Sequence, residues 1–266
     1  MMISVLTALA LTLAIFVAIM IAYSMRRRAY LARQAKGLNL LKECRILLTL
    51  VQQHRGLTNG YLKGDNALLG QIHPIQAQVS RAMERLNQEL WFIDSVEWKD
   101  IEQRWSVIVD QHQSMSPDQS LRRHSAMIAC LLFLIDDCAE YFRLYEIVHE
   151  ERGSIRYLWQ DILVTAENIG QARAIGTGVA AAKTCSSVDR IRLNYLNQAI
   201  GKIEHLDGNP TLKTLKATIE RQVLVESVDI TPSDYFGLAT SAIEVLLDTF
   251  DRTLEEAQKK LSVSPS

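Results

Sequence analysis

Apolar residues recur at spacings of three and four along almost the whole chain, and few stretches alternate apolar with polar residues. This spacing is typical of one face of an α-helix rather than of a β-strand. The 266 residues include only 12 Gly and 5 Pro, so residues that favour turns are scarce, and 48% are hydrophobic, which is enough to build a core. The sequence therefore predicts an all-α fold.

The breaks in this periodicity divide the chain after residue 37 into eight predicted helices. Their approximate bounds are 38–63, 74–96, 98–113, 119–148, 154–183 and 187–205, with a seventh helix ending near 228 and an eighth beginning at 231. Pro74 is expected to open the second helix and Thr231 to cap the eighth, since both residue types are favoured there. Short turns favour two antiparallel up-down four-helix bundles, with a long helix shared between them near Gly153 as an option. The expected ranges are about 38–150 and 151–262, with a disordered tail at 263–266.

The N-terminal segment carries an uncharged run of 20 residues at 3–22, which as a helix would be about 30 Å long, enough to cross a bilayer. No Lys or Arg precedes the run and Arg26, Arg27 and Arg28 follow it, which is the reverse of the charge order of a signal peptide. The positive-inside rule then places the rest of the chain in the cytoplasm. We predict a transmembrane anchor with a basic flank at 1–28, contacting lipid through 3–22, in the inner (cytoplasmic) membrane. A cleaved secretory signal is the alternative.

Charge is unevenly distributed along the chain. The first 37 residues hold 5 of the 29 basic residues and no acidic one, so the remainder carries 24 basic against 30 acidic residues, a net charge of −6. The chain after residue 37, with this charge and no basic run, is a poor candidate for nucleic-acid binding.

The sequence contains no motif typical of a metal site, a cofactor site or a catalytic nucleophile. Cys44, Cys130, Cys138 and Cys185 form no CxxC pair and have no histidine at metal-ligand spacing, which favours buried free thiols. No Gly-rich phosphate loop, nucleophile elbow or matched pair of carboxylates is present. We therefore predict a protein that is not an enzyme and has no cofactor or metal site.

Two arginines fall where a helix should be apolar. At 100° per residue, Arg55 lies in the inward sector of the first predicted helix, and Arg173 lies in the inward sector of the fifth. A glycine follows each arginine five positions later, and the two arginines are 118 residues apart in sequence. Because a guanidinium cannot lose its proton to escape burial, each needs a carboxylate, carbonyl groups or a bound anion.

A small planar oxyanion would satisfy both arginines. Nitrate, nitrite or a carboxylate presents coplanar acceptor oxygens to the paired donors of a guanidinium. Thr58 and Thr177 could add hydroxyl donors, and Gly176 would let the backbone approach closely. The alternative is an ion pair between each arginine and an acid on a facing helix, with Asp136, Asp137 or Glu140 as the candidates. His54, beside Arg55, is interpreted as a hydrogen-bonded core residue rather than a ligand.

Three segments carry a resemblance to a known family: HRGLTNGYL at 54–62, ENIGQARAIGTG at 167–178 and TPSDYFGLATSAIEVLLDTF at 231–250. They resemble the nitrate- and nitrite-sensing (NIT) domain over about residues 38–260. The resemblance implies a pair of four-helix bundles, here a sensor domain at 29–262, that binds nitrate or nitrite between them. Arg55 and Gly56 match the family's Arg-Gly, and Arg173 matches its later arginine. The chain departs from the family at His54, where a long acidic or basic side chain is common.

The resemblance also implies a signalling role. No output module follows the predicted domain, so the expected partners are nitrate or nitrite, the bilayer and a separate protein that receives the signal, with a homodimer as a further option. The alternative function is a membrane-tethered helical scaffold that retains the fold without binding an anion.

Overall fold

The computed structural model describes residues 2–150, 153–201 and 208–263, apart from the side chains of residues 2–8, 10 and 263. Over these residues the chain is all-α, as predicted, apart from one short hairpin. The helices are α1 (Met2–Leu62), α2 (Leu69–Leu86), α3 (Leu90–Asp94), α4 (Val96–Gln111), α5 (Pro117–Tyr141), α6 (Val164–Ala182), α7 (Ser187–Ile200), α8 (Pro210–Thr218) and α9 (Pro232–Val263). Strands β1 (Val148–His149) and β2 (Gly153–Ser154) pair antiparallel, and π-helical turns at Leu158–Leu163 and Ile219–Val223 adjoin α6 and α8.

The helices pack in two groups that share α1 as a neighbour. In the first group, α1 packs against α2 and α5, and α4 packs against α5. In the second group, α6 packs against α7 and α9, and α8 packs against α9. The C-terminal half of α1 also contacts α6 and α9. The contacts of α1 with α6 and with α9 therefore bring side chains of the two groups together.

Helix α1 is longer than predicted, because the N-terminal run and the first predicted helix form one helix of 61 residues. Residues 23–37 contain no proline, and their one glycine, Gly37, does not break the helix. A Cβ at Gly37 would lie 2.4 Å from the Cβ of Phe142, so the glycine lets α1 pass close to the end of α5.

The predicted transmembrane span at 3–22 lies in this helix. Among the residues whose placement is described, no helix is long and apolar enough to cross a membrane. The side chains at 3–8 and 10 lie outside that description. The described apolar side chains between Leu11 and Ile21 are 46% to 64% exposed.

Two predicted boundaries of the first group are wrong. Helix α2 begins at Leu69, so Pro74 is its sixth residue rather than its first. It ends at Leu86, not near 96, because the following turn is held by side chains. Trp98 Nε1 donates to Asn87 Oδ1 at 2.6 Å, and the Trp98 backbone N–H donates to Ser95 Oγ, which caps α4.

The ends of the last helices follow local sequence signals. Thr231 Oγ accepts a hydrogen bond from the Asp234 N–H at 3.1 Å, so the predicted cap of α9 is confirmed. Gly153 lies in the hairpin between α5 and α6 with a φ of 69°, a backbone conformation that favours glycine. The predicted disordered tail lies, from residue 264 onward, outside the described residues.

Candidate functional site

Arg55 forms a buried ion pair across the contact between α1 and α6. Its side chain is 2% exposed, and Nη1 and Nη2 donate to Glu167 Oε1 and Oε2 at 2.6 and 3.1 Å. This is the bidentate geometry in which a guanidinium group binds a carboxylate through two parallel hydrogen bonds. Arg55 is thus paired with an acid, but with Glu167 of α6 rather than with any of the three α5 acids considered from the sequence.

The Glu167 carboxylate is fully hydrogen-bonded. Gln52 Nε2 donates to Oε2 and Gln171 Nε2 donates to Oε1, each at 2.9 Å, in addition to the two bonds from Arg55. Glu167 is 5% exposed. Four donors on one buried carboxylate satisfy its acceptor positions, which is what a buried ion pair requires.

Gly170 makes room for the Arg55 side chain. A Cβ at this position would lie 2.8 Å from Arg55 Nη2. Arg55 Nη1 also donates to Ser125 Oγ of α5 at 3.2 Å, so the guanidinium is held by α5 as well as by α6.

Arg173 lies on α6 six residues after Glu167, and no carboxylate in the part of the chain that the structure describes pairs with it. Nη1 donates to Thr240 Oγ1 of α9 at 2.9 Å, and the guanidinium carbon lies 4.7 Å from the centroid of the Phe236 ring. Among the described residues no carboxylate lies within 4 Å of its nitrogens. Burial, and then the positive charge of Arg55, lower the pKa of Arg173 to about 10, while Glu167 and Glu244 act in the opposite direction. Arg173 is still a cation at neutral pH.

Thr177 lies one turn after Arg173 on the same face of α6. Its Oγ1 is buried and has no hydrogen-bond partner among the described residues. A buried hydroxyl without a partner is destabilising by about 1–3 kcal/mol, so such groups are uncommon. Helix α6 therefore presents, one turn apart, a guanidinium without a carboxylate and a hydroxyl without a partner.

The remaining predicted site residues occupy different surroundings. Thr58 is buried with its hydroxyl 3.4 Å from His54 Nδ1, and a Cβ at Gly56 would meet no atom within 4 Å. A Cβ at Gly176 would lie 2.3 Å from Tyr235 Cε1, so this glycine accommodates an aromatic ring. The Tyr235 hydroxyl donates to the Ala172 carbonyl at 3.0 Å. A role of these residues in binding a ligand stays a prediction.

His54 belongs to a hydrogen-bonded chain beside the ion pair, so its interpretation as a hydrogen-bonded core residue is confirmed. His124 Nδ1 donates to the Ser120 carbonyl at 2.7 Å, because the carbonyl can only accept. A neutral His124 accepts at Nε2 from His54 Nδ1, 2.8 Å away, and a neutral His54 then accepts at Nε2 from Gln76 at 3.2 Å. The chain of hydrogen bonds is thus complete with both imidazoles neutral.

The electrostatic surroundings agree with neutral rings. Burial, and then the nearby His124 and His112, lower the pKa of His54 to about 3. Burial also lowers the pKa of His124 to about 4, with Arg55 adding to the effect and the hydrogen bond to Ser120 opposing it.

The histidine chain makes stability dependent on pH. Because both folded pKa values lie below the unfolded value of about 6.5, the unfolded chain binds more protons once the pH falls below 6.5. Stability is thus fully present above pH 6.5 and is lost as the pH falls toward the folded values. We expect the free energy of unfolding to fall by about 2–3 kcal/mol between pH 7.5 and 5.5, measured by urea denaturation.

Two variants test the origin of this loss. His124→Gln should remove about half of the pH dependence. His73→Gln, at an exposed histidine of α2, should leave it unchanged. A wild-type stability that is flat over this pH range would contradict the prediction.

The fold and the site define an all-helical domain of two packed helix groups with a buried arginine ion pair between them. No protein-family model matches the sequence, and no curated protein is significantly similar to it. Among solved structures, the chain is similar to the NasR transcription antiterminator, with a TM-score of 0.64 and 16% sequence identity over 93% of this chain and 75% of that chain. At this identity the similarity shows a shared fold.

Proposed function

We propose that this chain is a sensor domain that binds one small planar oxyanion, nitrate or nitrite, at the contact between α1 and α6 and signals to a separate protein. The observation that carries the proposal is that two polar groups of α6 lack the partners that buried groups of their kind usually have. Arg173 has no carboxylate within 4 Å among the described residues, and the Thr177 hydroxyl is buried without a partner there. A planar anion accepts hydrogen bonds from both kinds of donor.

The charges near the site also support an anion. The charges of Arg55 and Glu167 cancel, and Arg173 leaves one positive charge in largely buried surroundings. A monovalent anion would neutralise that charge. The resemblance to the nitrate- and nitrite-sensing family points to the same ligands, and the fold shared with a transcription antiterminator supports a regulatory role.

One observation favours a second candidate, a helical interaction protein that retains the fold without an anion. Glu167 accepts from both Nη atoms of Arg55, so this arginine has its counter-ion within the chain and does not need an anion. The two candidates differ in whether nitrate or nitrite binds at all, which is directly measurable.

The test is a thermal shift of the full-length protein with nitrate and nitrite, against chloride and sulfate at matched ionic strength. A ligand that binds only the folded state adds about 2.7 kcal/mol at 100 times its Kd. For a chain of this size we expect an increase in Tm of about 5–10 °C.

Arg173→Gln should abolish the increase in Tm, because it removes the cation that has no carboxylate within 4 Å among the described residues. Arg81→Gln, which changes an exposed arginine of α2, is the matched control and should respond as the wild type does. Equal responses to all four anions would favour the interaction protein.

A further inference from the structure

The two arginines of the site differ in whether a carboxylate pairs with them. Arg55 has a built-in anion, the Glu167 carboxylate, which occupies its two donor positions at 2.6 and 3.1 Å. Arg173 has none within salt-bridge distance among the described residues. A Cβ at Gly170 of α6 would lie 2.8 Å from Arg55 Nη2, and Arg173 follows Gly170 by three residues, within one helical turn, so the two cations belong to one site. In agreement with this, the charge of Arg55 lowers the pKa of Arg173.

The charges of the site can be counted once Glu244, which also acts on Arg173 but is exposed to solvent, is left aside. Arg55, Arg173 and Glu167 together carry one positive charge. One monovalent anion brings the sum to zero, whereas a divalent anion would leave an uncompensated negative charge. Burying an unpaired charge is strongly unfavourable.

We propose that Glu167 is a specificity-determining residue that restricts the site to a single monovalent anion. It does so by supplying one of the two negative charges that the arginine pair requires. This inference rests on the proposed function, because it concerns which anions that same site accepts. Glu167 is suited to the role because Gln52, Gln171 and Arg55 fix both carboxylate oxygens, so its charge stays in place when a ligand enters.

The first test changes the charge of Glu167 with little change in shape. In the full-length protein, Glu167→Gln leaves two positive charges in the site. We expect this variant to gain a Tm increase with sulfate that the wild type lacks. Glu226→Gln, at an exposed acid outside the site, is the matched control and should retain the wild-type preference for nitrate.

A second test adds a carboxylate and leaves the Arg55–Glu167 pair intact, in case Glu167→Gln does not fold. Thr240 Oγ1 accepts a hydrogen bond from Arg173 Nη1 at 2.9 Å, so Thr240→Asp gives Arg173 a built-in anion. The comparison is with Thr240→Asn, which has the same shape without the charge. We expect nitrate to bind Thr240→Asp at least about tenfold more weakly than Thr240→Asn, measured by calorimetry.

The outcomes separate the inference from the proposed function. If the wild type responds to neither nitrate nor nitrite, the proposed function fails. If the wild type responds but folded Glu167→Gln keeps its preference for nitrate over sulfate, the role of Glu167 is overturned. Equal nitrate affinities of Thr240→Asp and Thr240→Asn would overturn it as well, whether or not Glu167→Gln folds.

Discussion

Arg55→Ala should lower the free energy of unfolding by about 3–5 kcal/mol, measured by urea denaturation followed by circular dichroism. The substitution leaves the Glu167 carboxylate, which is 5% exposed, without its cationic partner. Removing one member of a buried ion pair is destabilising by this amount because the remaining charge is unpaired in a medium of low polarity.

The matched control is Arg85→Ala. Arg85 pairs with Glu43 between α2 and α1 at 2.7 Å, but its side chain is 45% exposed, so the expected loss is below about 1 kcal/mol. Replacing both buried partners, as in Arg55→Met with Glu167→Leu, should restore much of the stability, since no lone charge remains. A loss for Arg55→Ala no larger than that for Arg85→Ala would show that the buried pair does not form.

Trp98→Ala should lower the free energy of unfolding by about 3–5 kcal/mol, the usual range for removing a buried tryptophan. Trp98 is 0% exposed, its ring packs edge-to-face on Phe92 with centroids 5.2 Å apart, and Nε1 donates to Asn87. The loss combines a cavity between α3 and α4 with an unpaired Asn87 carbonyl oxygen.

Trp91→Ala is the control for the loss of a tryptophan as such. Trp91 is only half-buried and packs at the edge of the same aromatic cluster. Its replacement should therefore be less than half as destabilising. Equal losses for the two variants, again from urea denaturation, would contradict the assignment of Trp98 to the core.

The all-α fold and the inward position of Arg55 were predictable because both follow from the spacing of residues along one helix. The partner of Arg55 was not. Periodicity shows which face of a helix is inward, but not which helix lies opposite, and the α5 acids were closer in sequence than Glu167. Glu167 lies on the side of its helix roughly opposite the apolar residues, so periodicity alone predicts that its side chain is exposed to solvent.

The structure explains why that reading fails. Helix α6 is buried on more than one side, since α9 packs on one face and α1 contacts another. Glu167 and Gly170 are buried together with Ile169 and Ala172. A signal was present in the sequence: Val164–Ala182 contains only two charged residues, Glu167 and Arg173, and a helix with so few charges tends to be covered all round.

The continuous helix α1 has a mechanical consequence. Thirty residues separate Met25 from Arg55 along a single unbroken rod, a distance of about 45 Å. If the rod pivots near Arg55, a tilt of about 5° displaces its axis at Met25 by about 4 Å. The displacement grows in proportion to the distance from Arg55, so a tilt that leaves the Arg55–Glu167 pair in place moves α1 against Phe142 at the end of α5 at Gly37 and moves its exposed N-terminal end the most.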